Sequence, residues 1–325
     1  MKNECQRCTH SNVVVLTNTG GIFRCEGCKF LNLVLIERSD GNLGFGNFRI
    51  LEQVGQGANA VVCRAENISN STIRALKIFY FAENEIHAQR EFIRESVLAT
   101  EIKHTNIVRT YSAGEVDGMP YIELEYVDGV NVSSYIEDTG PIEQMEAMSM
   151  ASYICDALDY VWNSFLMIHR DIKPQNLLLT YDGEIKVCDF GMITNHEASL
   201  VDLGAVEGTP YYLSPECISE GAYLDSRSDI YSLGATLYHI VSGVPPFDYD
   251  GLMKVVEARV KEEPPNVCKI APYIQKNIGD VLLTMMAKDP TDRYVTFSEC
   301  KADILRIVNG EDPILVNKDR HKANE

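Results

Sequence analysis

The sequence predicts an α+β chain in three successive parts: a small cysteine-bearing β unit, a β-rich part, and a helical part. Three observations carry this. Two Cys-x-x-Cys pairs, Cys5/Cys8 and Cys25/Cys28, lie among short apolar runs with 16 residues between them. From residue 48 to 129, apolar runs of strand length and Gly turns surround a single helical pattern. From residue 142 onward helical periodicity dominates, in a long pattern over 142–165 and a buried one over 230–244.

Composition bounds the rest. A chain of 325 residues makes one large or two modest domains, and 45% apolar with 23% charged residues is enough to bury a core. The formal charge of −18 excludes a sequence-independent grip on nucleic acid, which needs many Lys and Arg. The first eight residues are polar and no apolar run reaches the ~18 residues of a membrane span, so neither a secretory leader nor a membrane segment is expected. Six of the ten cysteines (Cys63, Cys155, Cys188, Cys217, Cys268, Cys300) stand singly among apolar residues and read as reduced thiols. That usage points to a reducing, cytoplasmic compartment.

Taken in order, residues 1–36 form the first unit. Val13-Val14-Val15-Leu16, Ile22-Phe23-Arg24 and 30–36 read as strands, with each Cys pair at a tight turn. Four thiolates so spaced can surround one ion tetrahedrally, and the spacing alone serves zinc or a four-Cys iron site, with two disulfides disfavoured by the reducing compartment; the unit looks like a zinc ribbon with Cys5, Cys8, Cys25 and Cys28 as Zn²⁺ ligands. Fewer than ~40 residues need such a staple, so the metal is structural. The ribbon carries only Lys2, Arg7, Arg24 and Lys29 as cations, so a protein partner is expected there rather than nucleic acid. Residues 37–47, Gly-rich and polar, read as a flexible linker. Their glycines precede the next strand instead of following one, so they are not a phosphate loop.

The second part opens with the strand Phe48-Arg49-Ile50-Leu51-Glu52-Gln53-Val54 and the turn Gly55-Gln56-Gly57-Ala58-Asn59-Ala60-Val61-Val62. Ala75-Leu76-Lys77-Ile78 places a cation in an apolar strand, which needs a partner. A helix is expected over 86–102, with Phe92, Ile93, Val97, Leu98 and Ile102 on one face. Tyr121-Ile122-Glu123-Leu124-Glu125-Tyr126-Val127 is a strand running into Asp128-Gly129. In the helix over 142–165, Met148, Ala151, Cys155, Leu158, Trp162 and Phe165 form the buried stripe.

The most informative stretch follows: His169-Arg170-Asp171-Ile172-Lys173-Pro174-Gln175-Asn176, two apolar runs around Asp182-Gly183, then Cys188-Asp189-Phe190-Gly191. Asp-Gly between apolar runs signals a hairpin, which lets Asp171, Asn176 and Asp189 converge. Two carboxylates and an amide oxygen suit Mg²⁺ carrying phosphates, and Lys173 adds a cation for developing phosphoryl charge.

With Gly208-Thr209-Pro210-Tyr211-Tyr212-Leu213-Ser214-Pro215-Glu216, Asp225 to Gly234 and Asp292-Arg293, these motifs resemble a eukaryotic-like (Hanks-type) serine/threonine protein kinase over residues 48–305. The resemblance implies a bilobal protein-kinase fold, β-rich N-lobe and helical C-lobe, preceded by the small β zinc ribbon. Its domains would be 1–36 ribbon, 37–47 linker, 48–308 kinase and 309–325 polar tail.

It further implies ATP and Mg²⁺ as cofactors, protein substrates, and a role for each matching residue. Gly55 and Gly57 would approach phosphates. Ala60 stands where the family has a third Gly. Val54, Val62 and Ala75 would line the adenine site, with Leu124 as gatekeeper and the backbone of Glu125 and Val127 bonding adenine. Lys77 would pair with phosphates and with Glu95. Asp171 would take or orient the substrate hydroxyl proton, Lys173 would steady the γ-phosphate, and Asn176 and Asp189 would hold Mg²⁺. Thr209 with Lys173 is the serine/threonine version of the site. His169 would be structural, Asp229 would brace the loop backbone, and Glu216 would pair with Arg293.

The alternative is a pseudokinase, a nucleotide-binding scaffold that recruits a partner through the ribbon. The presence of Lys77, Asp171, Asn176 and Asp189 argues against it. The resemblance implies that Arg170 faces an anion about four to eight residues before Thr209; here that window, Val201 to Ala205, holds Asp202 and no hydroxyl residue, so Asp202 is expected to neutralise Arg170 without phosphorylation.

Overall fold

The chain divides into one unit of Met1–Lys103 with Val108–Val127 and another of His104–Ile107 with Asp128–Glu325. The computed structural model describes residues 2–4, 6, 8–9, 11–13, 20–28, 31–37, 43–57, 59–81, 96, 98–190, 194–195, 211–218 and 224–316.

In the first unit, β1 (Lys2–Glu4) and β2 (Ser11–Val13) pair with each other. The other strands are β3 (Gly20–Arg24), β4 (Leu31–Glu37), β5 (Leu43–Phe45), β6 (Phe48–Gln56), β7 (Ala60–Asn67), β8 (Thr72–Phe79), β9 (Thr110–Val116) and β10 (Met119–Glu125). They form one sheet in the order β3-β4-β5-β6-β7-β8-β10-β9, antiparallel throughout. Alternation along the strands sends Phe48, Ile50, Val61, Cys63, Ala65, Leu76 and Ile78 to one face. There they pack with Leu31 and Leu33 of β4 and Phe45 of β5. Tyr121 of β10 meets the rings of Phe45 and Phe48 edge-on at 5.7 Å each, a favoured aromatic geometry.

This corrects the expectation of a flexible linker over 37–47. β4 extends to Glu37, and Leu43–Phe45 is a strand that pairs with both neighbours. Gly46 (φ +53°) is the first residue of the two-residue turn joining Phe45 to Phe48, and a Cβ there would lie 2.8 Å from Val116 Cγ2. It is a hairpin glycine, not a linker glycine. The cysteine-bearing unit therefore shares the core of the strands that follow it. The strand expected at 13–16 is β2, ending at Val13, with 14–19 outside the described residues. Of the helix expected over 86–102, Ser96, Leu98 and Ala99 are described as helical; Leu98, expected inside, is exposed, whereas Ile102 is buried.

The second unit begins with β11 (Gly129–Asn131) and α1 (Val132–Thr139), whose N-cap Asn131 accepts the Ser134 N–H at 2.9 Å. α2 (Gln144–Phe165) buries Met148, Ala151, Cys155 and Leu158 as its period requires, while Trp162 and Phe165 are half-buried. β12 (Met167–Ile168), β13 (Leu177–Thr180), β14 (Ile185–Val187) and β15 (Thr194–Asn195) follow, then α3 (Pro215–Ile218) and α4 (Ser226–Ser242). β11, β13 and β14 form one small sheet, and β12 pairs with β15. α4 is capped by Asp225 and ends at Gly243 in the left-handed region, φ +80°. A Cβ on its Gly234 would lie 2.7 Å from Met285 Cβ, so only glycine permits this helix approach.

The unit closes with α5 (Leu252–Lys261), α6 (Val267–Ile270), α7 (Lys276–Met285) and α8 (Phe297–Val308), the last tied to α2 by Lys301–Asp156 at 2.6 Å. Residues 309–316, expected as part of a polar tail, are tied to the fold. The buried Asp303 carboxylate accepts the N–H groups of Ile314 and Leu315 at 2.7 and 2.9 Å, and Val316 is buried. Residues 317–325 lie outside the described ones. No helix among the described residues is long and apolar enough to cross a membrane.

Arg293 and Glu216 form a buried bidentate pair at 2.6 and 2.8 Å, to which Ser228 adds a bond of 2.8 Å. Burial alone would raise the Glu216 carboxyl; Arg293 and Ser228 outweigh that and hold it below its ordinary value of 4.5. A depressed carboxyl contributes stability above its unfolded value and loses it as pH falls through the folded one. The stability gap between wild type and Glu216→Gln should therefore shrink below about pH 4.5, read by urea melts across pH; a constant gap would count against the pair. Phe45→Ala should cost about 3–5 kcal/mol in urea unfolding of the whole chain. Deletion of 1–47 should lower the midpoint too, whereas a merely tethered unit would leave it unchanged.

Candidate active site

In the first unit, strand register places the expected nucleotide residues. Gly55 is opposite Val62, Val62 opposite Lys77, Lys77 opposite Ile122, and Ala75 opposite Leu124. Directly opposed residues share a face, so Gly55, Val62, Ala75, Lys77 and Leu124 all project from the side of the sheet that does not face the main core. Leu124 is half-buried against Ala60, Phe79 and Ile122. Lys77 Nζ lies 5.2 Å from the Phe79 ring centre. A Cβ on Gly55 would come 3.6 Å from Val62 Cβ and one on Gly57 3.9 Å from the Ala60 carbonyl, both ordinary contacts. The fold itself thus does not demand glycine at either position.

Val54 is exposed beside a register shift in β6. Glu125 ends β10, its N–H donating to the Arg109 carbonyl at 2.8 Å, and Val127 is the last residue of this unit.

In the second unit, backbone conformation organises the loop between β12 and β13. His169 and Arg170 donate their N–H groups to the two carboxylate oxygens of Asp229, at 2.6 and 2.8 Å. Asp229 sits in α4, fully enclosed. Burial pushes its carboxyl above the ordinary value, against His169 and the two N–H groups. Arg170 has φ +67°, a conformation few side chains adopt without support. Seven residues along α4, Thr236 Oγ1 donates to the Ile172 carbonyl at 3.1 Å. Two polar side chains on one helix face thus hold both ends of the loop. His169 is structural, as expected: Nε2 donates to the Cys188 carbonyl at 3.0 Å, and Nδ1 accepts the Asp171 N–H at 3.3 Å.

Asp171, Lys173 and Asn176 come together. Asp171 Oδ2 receives Lys173 Nζ at 2.7 Å and Asn176 Nδ2 at 2.8 Å. The same Nδ2 donates to the Asp171 carbonyl at 2.8 Å. The expected hairpin is β13 and β14, turning at Gly183 with φ +87°. It returns Cys188, whose N–H donates to the Asn176 carbonyl at 2.9 Å, so Asp189 follows directly beside Asn176. Asp189 also lies in the left-handed region, φ +67°.

Three thiols form a separate cluster in the first unit. Cys8, Cys25 and Cys28 have their sulfurs within 4.8 Å of one another, with Cys8 and Cys25 at 3.7 Å. That separation is far beyond the ~2.05 Å of a disulfide. Cys5, Glu95, Thr209 and Asp202 lie outside the described residues.

Sequence reasoning missed Thr236 and Arg259. The first could have been found as a polar residue seven positions after Asp229 in an apolar helix. Arg259, wholly buried, donates to the carbonyls of Tyr211 and Leu213 and lies over the rings of Tyr231 and Phe247. Burial pulls its guanidinium below the ordinary range. Nothing local in the sequence distinguishes it from a surface helix cation.

Comparison with known proteins agrees with this geometry. The protein kinase domain model matches residues 48–304. The chain is 35% identical over 261 residues to serine/threonine-protein kinase PrkC of Bacillus subtilis, covering 80% of this chain and 40% of that protein. It is 37% identical over 229 residues to serine/threonine-protein kinase PknB of Mycobacterium tuberculosis, covering 68% and 36%. A probable serine/threonine-protein kinase PknB of Lactococcus lactis is 32% identical over 290 residues, covering 87% and 46%. The chain thus spans less than half the length of these relatives. Matched along most of its own length by the domain model and by these kinases, the chain belongs to the protein kinase family.

Proposed function

We propose that the chain is an ATP-dependent protein serine/threonine kinase. The observation that carries this is the Asp171, Lys173 and Asn176 constellation on a loop locked by Asp229. Lys173 and Asn176 hold Asp171 Oδ2, so Oδ1 is the oxygen that would meet an incoming hydroxyl. That oxygen takes the hydroxyl proton as the substrate oxygen bonds to the γ-phosphorus and the bond to the ADP oxygen breaks. Lys173 places a cation beside the charge that builds up on the phosphoryl oxygens.

Asn176 Nδ2 is engaged twice by Asp171, so Oδ1 is the atom its amide presents elsewhere. A hard cation fits that oxygen together with the Asp189 carboxylate; Mg²⁺ held there supplies charge neutralisation for the phosphates. Lys77 would hold phosphates, with Glu95 as its ion-pair partner, and Thr209 would support Asp171 and Lys173. Val54, Val62, Ala75 and Leu124 would enclose the adenine, bonded by Glu125 and Val127. The glycines at 55 and 57, sterically unnecessary to the fold, let backbone N–H groups reach the phosphates.

The cysteine cluster fits structural Zn²⁺. A tetrahedral ion with Zn–S of ~2.3 Å sets sulfurs about 3.8 Å apart, and Cys8 and Cys25 stand at 3.7 Å. Cys28 would be the third ligand, and Cys5, outside the described residues, would complete the set. Packing supports a structural role for this unit, because β4 and β5 belong to the main sheet; a protein partner docking on it is compatible with that packing. Thiols at Cys63, Cys155, Cys217 and Cys300, buried and unoxidised, fit a reducing cytoplasmic setting.

Asp171→Asn should lower phosphate transfer to a protein substrate by about 10²–10⁴-fold, measured with radiolabelled ATP. Asp189→Asn and Lys77→Met should abolish it with unchanged melting temperatures. Near-wild-type transfer by any of the three would refute these roles. Elemental analysis should find one zinc per chain, lost in Cys25→Ser with a lower melting temperature; a metal-free wild type that melts normally would exclude the zinc site.

A further inference from the structure

The end of β6 and the turn into β7 carry the glycines at 55 and 57, and the cysteine-bearing unit grips this stretch from both sides. On the incoming side, Gln56 Nε2 donates to the Leu31 carbonyl at 2.9 Å. On the outgoing side, Arg24 Nη2 donates to Asn59 Oδ1 at 2.6 Å. Asn59 is fixed again through its carbonyl, which accepts the Tyr80 N–H at 2.8 Å, and the Arg24 guanidinium lies 5.6 Å from the Tyr80 ring centre. Arg24 and Leu31 are not independent: they are directly opposite each other in the β3–β4 ladder. One cross-strand pair therefore holds both shoulders of the loop. The next residue, Cys25, is fully buried in the thiol cluster, which fixes that end of the ladder.

A single exposed hydrogen bond contributes little. Several that restrain one glycine-bearing loop act on the same motion. A loop that is ordered in advance loses less entropy when phosphates bind to its N–H groups, and affinity rises accordingly.

We infer that Arg24 and Leu31 form a clamp that presets the Gly55 to Asn59 loop, making the cysteine-bearing unit a positioning element for nucleotide affinity. The inference rests on the reading of that loop as the phosphate loop. Arg24 is a positioning residue; it acts through Asn59, not on the nucleotide.

The test uses the full chain. In Arg24→Ala, the Kd for Mg·ADP by calorimetry and the KM for ATP should rise about three- to tenfold. kcat at saturating ATP and the KM for the protein substrate should stay within about twofold. Amides around Gly57 should exchange hydrogen faster. Asn59→Ala, which leaves the cysteine unit intact, should give the same shift, and the double variant should be no worse than either single one. Unchanged nucleotide affinity in both single variants, additive effects in the double, or a fall in kcat with unaltered affinity would overturn the clamp. A wild type that binds no nucleotide would overturn the kinase reading beneath it, whereas a wild type that binds it beside unaffected variants overturns the clamp alone.

Discussion

The buried carboxylate of Asp229 is the interaction on which the candidate catalytic loop depends. A left-handed backbone at a residue such as Arg170 costs on the order of 1–2 kcal/mol. Two hydrogen bonds from backbone N–H groups to a buried carboxylate contribute about 1.5–3 kcal/mol each, enough to offset that strain and part of the desolvation of the charge. The arrangement is reciprocal: the loop supplies the donors that make a charge inside α4 tolerable, and the charge selects the loop conformation. Around this fixed backbone, the His169 ring bonds the Cys188 carbonyl and the Asp171 N–H, while the β13–β14 hairpin returns Cys188 to the Asn176 carbonyl.

The first unit solves a different problem with one sheet that has two faces. The period of two sends Val61, Cys63, Leu76 and Ile78 into a core with Phe45 and Leu31. The same period sends Val62, Ala75, Lys77 and Leu124 to the other side. A one-residue slip in β8 would exchange its two sets and place Lys77 in the core, and one in β7 would do the same with Arg64. The extensive apolar face, built partly from β4 and β5, therefore fixes the register that presents the charged and small residues. The cysteine-bearing strands serve the site through the core as well as through the loop they touch.

Much of the candidate site was legible because its residues carry chemistry that little else explains: a lysine within an apolar strand, carboxylates around an Asp-Gly hairpin, and cysteines of which three, Cys8, Cys25 and Cys28, are seen to cluster. The hairpin and α2 were legible for a related reason, since Asp182-Gly183 and a long apolar period each have one dominant structural outcome. The stretch 37–47 misled because Gly46 serves a tight hairpin and Gly44 lies in a paired strand, and glycine in such places and glycine in a linker read alike. Asp303 and Arg259 were illegible for the opposite reason. Each is a charged residue on a helix, ordinary by sequence, whose burial follows only from tertiary packing against 314–315 and 211–213.

The short stretch His104–Ile107 belongs to the second unit although the residues on both sides of it belong to the first. It is stitched there by Val187 N–H to the Asn106 carbonyl at 2.8 Å, Asn106 Nδ2 to the Ile185 carbonyl at 2.9 Å and Lys186 Nζ to the Thr105 carbonyl at 2.8 Å. The polypeptide consequently crosses between the units after Lys103, after Ile107 and again after Val127. Neither unit corresponds to one uninterrupted stretch of gene. A single proteolytic nick between Val127 and Asp128 would sever Asp128–Glu325 from the first unit while leaving His104–Ile107 covalently attached to it, and exchanging the first unit with that of a relative would have to carry or rebuild this four-residue stitch.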